Sequence, residues 1–194
     1  MNSTPAQHQK AVRLEILTLS AVTIEAVIGL AAGMAAGSLA LVSFGLDSVI
    51  EFVAASVVLW HLRGARRGED KALRIIAATF FALAIYIVVE AADGLYHHHH
   101  PSSAPIGIAL VVVSFAAMQY LGRAKQRLGH KMESDALEAD AEETLLCSYL
   151  SVVVLVGLVL NAALGWWWAD PLAALVVAGL AIREGIEAWR GGHH

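Results

Sequence analysis

Two pairs of residues dominate the chemistry this sequence can offer: Asp47 with Glu51, and Glu143 with Cys147, each pair inside a long apolar run. A spacing of four puts both members on one face of an α-helix with Cβ atoms about 6 Å apart, so each pair can chelate one cation. Three carboxylates and one thiolate, brought face to face, would suffice for a four-coordinate site. Glu25, Glu90 and Asp93 fall in apolar runs as well. An acid at mid-bilayer costs about 2.5 to 3.5 kcal/mol on insertion scales, and no Lys or Arg lies deep within these runs. Such acids either hold protons and glue helices together by hydrogen bonds, or surround a cation supplied from outside. Glue explains one acid more easily than it explains several.

The elements that must position these groups follow from composition. Of 194 residues, 58% are hydrophobic and 15% charged, with a mean hydropathy of +0.63. A soluble domain carries about 25% charged residues, so this chain lacks the polar surface to stay dissolved alone. The expected fold is all-α and polytopic, with six transmembrane helices over 16–36, 39–60, 73–93, 105–121, 141–163 and 170–188, each near the roughly 20 residues needed to cross a bilayer. They form a single membrane domain over 1–194 and leave no room for a separate soluble one. Glu25 and the length of the first run favour a retained helix over a cleaved signal peptide. A lone cysteine excludes an intrachain disulfide. The net charge of -4 averages two differently charged faces and gives no reason to expect nucleic acid as a partner.

Orientation comes from the basic residues, which short cytoplasmic loops retain. Lys10 and Arg13 precede the first span, and Arg63, Arg66, Arg67, Lys71 and Arg74 lie between or beside the second and third. Arg123, Lys125, Arg127 and Lys131 lie between the fourth and fifth, and Arg183 and Arg190 close the chain. These are all 13 Lys and Arg, and with six spans they share one side, which places both termini in the cytoplasm. Trp60, Trp166, Trp167, Trp168 and Trp189 fall at span ends, where indole rings prefer to sit. Counted at 1.5 Å per residue from the outer ends, Asp47 lies about 14 Å deep and Cys147 about 25 Å deep. Spacing alone therefore leaves open whether the two pairs meet.

Other groups invite weaker readings. His97, His98, His99 and His100 follow the third span on the outside, where neutral imidazoles could bind a departing metal. Glu90 and Asp93 stand just before them and could relay cations outward. Glu25, mid-membrane, could carry a proton. Asp140 reads as an ordinary acid near a helix N-terminus, and Asp170 before Pro171 as the N-cap of the sixth span. The spacings Gly29 to Gly33 and Gly33 to Gly37 read as helix packing. His193 and His194 are assigned no role.

Three stretches resemble the cation diffusion facilitator, or cation efflux, family. SFGLDSVIEFVAAS, Ser43 to Ser56, is similar to its second helix, where an acid or histidine is followed four residues later by an acid. Ala139, Asp140, Glu143, Cys147 and the apolar run through Gly157 resemble its fifth helix, and Ala169-Asp170-Pro171 resembles the start of its sixth. The resemblance covers the six-helix membrane domain. It implies export of a divalent metal coupled to inward proton movement, with Asp47, Glu51, Glu143 and Cys147 as the metal site. Two departures stand out: the family's fifth helix usually presents histidine and aspartate where this chain has Glu143 and Cys147, and the family commonly adds a cytoplasmic dimerising domain after the sixth helix, which this sequence is expected to lack.

The expectation is a non-enzymatic secondary transporter in the cytoplasmic (inner) membrane. It would export a divalent transition metal, zinc foremost, with cadmium, cobalt, manganese or iron as other candidates. Proton antiport drives the export, no permanent cofactor is needed, and a homodimer is the expected assembly. The thiolate favours zinc, cadmium or cobalt over magnesium. The alternative is a nontransporting membrane metal sensor or accessory subunit using the same ligands.

Overall fold

The computed structural model describes residues 5–62 and 69–190, and among them the only regular elements are six helices. They are α1 Pro5–Ala36, α2 Leu39–Leu62, α3 Glu69–Tyr96, α4 Pro105–Met132, α5 Asp135–Leu164 and α6 Ala169–Trp189. Each contains one of the expected spans. Five are long and apolar enough to cross a membrane. The sixth differs in charge and not in length: its 21 residues include Asp170, Arg183, Glu184 and Glu187. The chain is an all-helical, polytopic membrane protein.

The helices sort into two groups. The hairpins α1–α2 and α4–α5 pack within themselves and on each other, while α3 packs chiefly on α6, far from it in sequence. The α1–α2 turn is short because Gly37 takes a left-handed φ of 66°, with Ser38 N–H donating to the Gly33 carbonyl at 2.9 Å and Gly37 N–H to that of Met34 at 3.3 Å. This pair of hydrogen bonds closes a helix C-terminus most readily with glycine at the left-handed position. A Cβ at Gly33 would stand 2.7 Å from the Val42 amide nitrogen. The glycine spacing of α1 thus serves packing within its own hairpin.

Helices α4 and α5 continue well past the apolar runs that foreshadow them, turning only at Glu133 and Ser134. Leu128, Met132 and Leu137 are buried there and extend the apolar stripe of the hairpin. One end of the bundle holds the α1–α2 turn, the histidine tract and the Trp166 to Trp168 connection; this is the histidine end. The other holds the free ends of α1 and α6 and the α4–α5 turn; this is the terminal end. Lys10, Arg13, Arg123, Arg127, Lys131, Arg183 and Arg190 are exposed at the terminal end. Arg63, Arg66, Arg67, His193 and His194 lie outside the described residues, as do the side chains of Lys71 and Arg74.

Lys125 corrects the picture of basic residues confined to loops. It has no solvent exposure. Its ammonium donates to Glu15 Oε2 of α1 at 3.2 Å, to Asp140 Oδ2 of α5, and to Thr144 Oγ1 at 3.4 Å. Asp140 is therefore half of a buried ion pair and not a free acid at a helix start. An uncompensated charge here would be costly, and the pairing of ammonium with carboxylates offsets the loss of water.

Candidate metal site

The expected difference in depth between Asp47 and Cys147 disappears once the register of the helices is known. Asp170 does not cap its own helix. Its carboxylate accepts from Ser38 Oγ at 2.5 Å and from the Ala40 amide at 3.2 Å, so it sits at the N-terminus of α2. A Cβ at Gly157 of α5 would meet Ala173 Cβ at 2.7 Å and the Ala169 carbonyl oxygen at 3.2 Å. Ser38, Asp170 and Gly157 therefore share one level, and α5 overshoots it by about two turns. From that level Asp47 and Cys147 lie about 14 and 15 Å along their helices, and Glu51 and Glu143 about 20 and 21 Å.

At this depth Asp47, Glu51, Glu143 and Cys147 line one small cavity with Phe80 of α3, Glu184 of α6, and Leu146 and Leu150 of α5. Its volume is about 20 Å³, enough for a single water or a desolvated ion. Asp47, Glu51 and Cys147 are buried and Glu143 half-buried. Both carboxylate oxygens of Glu51 are shut off from solvent with only the Cys147 thiol, a weak donor, beside them, and Glu184 Oε1 is enclosed without a hydrogen-bond partner. A buried carboxylate without a strong donor has lost its hydration for little in return. A cation in the cavity would supply what is missing. Among the described residues no three His, Cys, Asp or Glu side chains already close around a single point, so binding would draw the walls inward.

The remaining candidates fall elsewhere. Glu25, 3% exposed, lies off the cavity wall, between α1, α2 and α4, with Ser48 Oγ 3.5 Å away and Ser114 beside it. Ser114 in turn lies 3.4 Å from Ser151, whose hydroxyl donates to the Cys147 carbonyl at 3.1 Å. Glu90 and His99 line a larger cleft of about 180 Å³ at the histidine end, which also includes Ser38, Tyr86 and Asp170. Asp93 is exposed, with His97 Nδ1 at 3.1 Å and His99 Nδ1 at 4.0 Å from its carboxylate oxygens. His98 and His100 pack on the Trp167 ring, with centroids 4.9 and 5.5 Å away. The tract is thus anchored on both sides.

The profile of the cation efflux transmembrane domain matches residues 16–190. The chain belongs to the cation efflux family. It is 28% identical to the magnetosome protein MamB of Magnetospira sp. over 167 residues, 80% of this chain and 57% of that protein. It is 29% identical to the cation-efflux pump FieF of Shewanella oneidensis over 138 residues, covering 69% and 46%. With an uncharacterized transporter of Synechocystis sp. it shares 29% over 153 residues, 73% and 49%. The chain spans about half the length of these curated relatives.

All the residues that line both cavities of this cation efflux domain fall within the matched segment. Sequence reasoning missed Glu184 and the Lys125 cluster. Glu184 stands about 21 Å along α6 from Asp170, level with Glu51 and Glu143, but that count means nothing until Asp170 is placed beside Ser38. Lys125 was hidden because hydropathy ends the fourth run at 121 while the helix does not end there.

Proposed function

We propose that this chain is the membrane domain of a secondary transporter that moves a divalent transition metal, zinc foremost, out of the cytoplasm in exchange for protons. The supporting observation is the cavity that Asp47, Glu51, Glu143 and Cys147 line together, where both Glu51 oxygens are buried with no donor stronger than the Cys147 thiol. Membership of the cation efflux family supports the same reading, as does the similarity to FieF, a cation-efflux pump. The carboxylates and thiol must release protons to ligate, so an arriving metal expels protons and a departing one takes them back. Glu25, linked through Ser114 and Ser151 to the Cys147 turn, is suited to hold a proton behind the site.

In this reading the terminal end faces the cytoplasm, as its exposed basic residues favour. The metal leaves through the cleft at the histidine end, where Glu90 and His99 offer it oxygen and nitrogen donors, and Asp93 with the other histidines holds the mouth in shape. Between site and cleft the helices are packed with apolar side chains, so passage needs the α3–α6 pair to shift against the other four helices. In vesicles containing the purified protein, zinc uptake should be accelerated by an opposing pH gradient. Asp47→Ala should lower it at least tenfold. Undiminished flux in that variant removes the site assignment, and indifference to the gradient removes the exchange.

A further inference from the structure

The four proposed ligands come from α2 and α5, both in the four-helix group, yet the cavity has a wall made by α3 and α6. On that wall stand Phe80 and Glu184. Gly185 fixes their relation: a Cβ there would come within 3.2 Å of Phe80 Cβ and 3.1 Å of the Phe81 ring, so α3 and α6 meet closely beside Glu184. Arg183 does not neutralise this carboxylate by an ion pair; it instead grips Glu187 at 2.9 Å on the exposed face. Glu184 Oε1 is enclosed with no hydrogen-bond donor, and the side chain is one of those lining the cavity.

We infer that Glu184 is a fifth ligand for the transported divalent cation, the donor that the α3–α6 pair contributes to a site otherwise built by α2 and α5. The assignment rests on the proposed metal site. Four donors satisfy a zinc-like ion, so five candidates allow one to be exchanged for another as the two helix groups move. A cation held by Glu184 ties the groups together, and a cation released by it leaves them free to separate. Loading would then favour one arrangement of the pair and unloading the other, because a ligand shifts an equilibrium only by what it contacts differently in the two states.

The test is a cadmium titration of the purified protein, read by the ultraviolet charge-transfer absorption of a Cys147 thiolate bound to cadmium. Wild type should develop the band, and Cys147→Ser should not. Glu184→Gln should need at least about 10-fold more cadmium to reach half of the same band, since loss of even an outer-shell partner of a metal ligand costs that much. Glu184→Asp, which keeps the charge but withdraws it by a methylene, should fall in between and covers the case in which the glutamine variant does not fold. Glu187→Gln removes a charge one turn away and should titrate as wild type. Wild-type binding in both Glu184 variants, with binding lost in Asp47→Ala, overturns the fifth ligand and leaves the site standing. Equal weakening by Glu187→Gln also overturns it, since a distant charge would then explain the effect. A wild-type protein without the band overturns both.

Discussion

Lys125 sits between two acids drawn from different helices and shows no exposed surface. Its removal as Lys125→Ala would leave Glu15 and Asp140 facing each other without water, which typically costs about 3 to 5 kcal/mol. Thermal unfolding in detergent should show a marked drop in Tm for that variant. Most of the loss should return when Glu15→Gln and Asp140→Asn are added to Lys125→Met, because the penalty lies in the unpaired charges and not in the missing pair. A single variant as stable as wild type would mean that the cluster is hydrated. At this scale the sequence is legible where the relevant spacing is local. Asp47 with Glu51, and Glu143 with Cys147, declare themselves by a four-residue interval inside apolar runs. The partners of Lys125 are 15 and 110 positions away, and no periodicity announces them.

Helices show the same division between local and distant information. The six helices were readable because each holds an apolar run near 20 residues, the length that crossing a bilayer requires. What could not be read was their relative height. Asp170 precedes Pro171 and has the sequence of a self-capping helix start, yet it bonds to Ser38 and Ala40 across 130 positions. That contact sets α6 level with α2 and, through Gly157, decides that α5 overshoots. Ser38 Oγ also accepts from the Leu41 amide at 3.2 Å, so the start of α2 is capped twice. Asp170→Ala should therefore destabilise the protein by about 0.5 to 2 kcal/mol, the usual range for a lost cap, while Asp170→Asn keeps an acceptor and should lose less. The comparison of unfolding midpoints checks this. Equal losses would show that the negative charge matters more than the hydrogen bonds.

At the scale of the molecule, a packed apolar layer separates the small cavity from the cleft at the histidine end. Between the small cavity and the cleft at the histidine end, the inward-facing residues of α2, α3, α5 and α6 include Phe44, Leu83, Ile87, Leu150, Val154 and Val177, all buried in one apolar cluster. In the proposed exchange this packed layer is the barrier that must open. A doubly charged ion crossing alone would feel about 4.6 kcal/mol per 100 mV, from about 2.3 per elementary charge. One exchanged for two protons moves no net charge and would feel nothing. Zinc flux in vesicles should accordingly be unchanged when a potassium diffusion potential is imposed, if two protons return for each ion. A flux that rises or falls with voltage would mean that the count is one or three, so a voltmeter can number the protons that no static arrangement of carboxylates reveals.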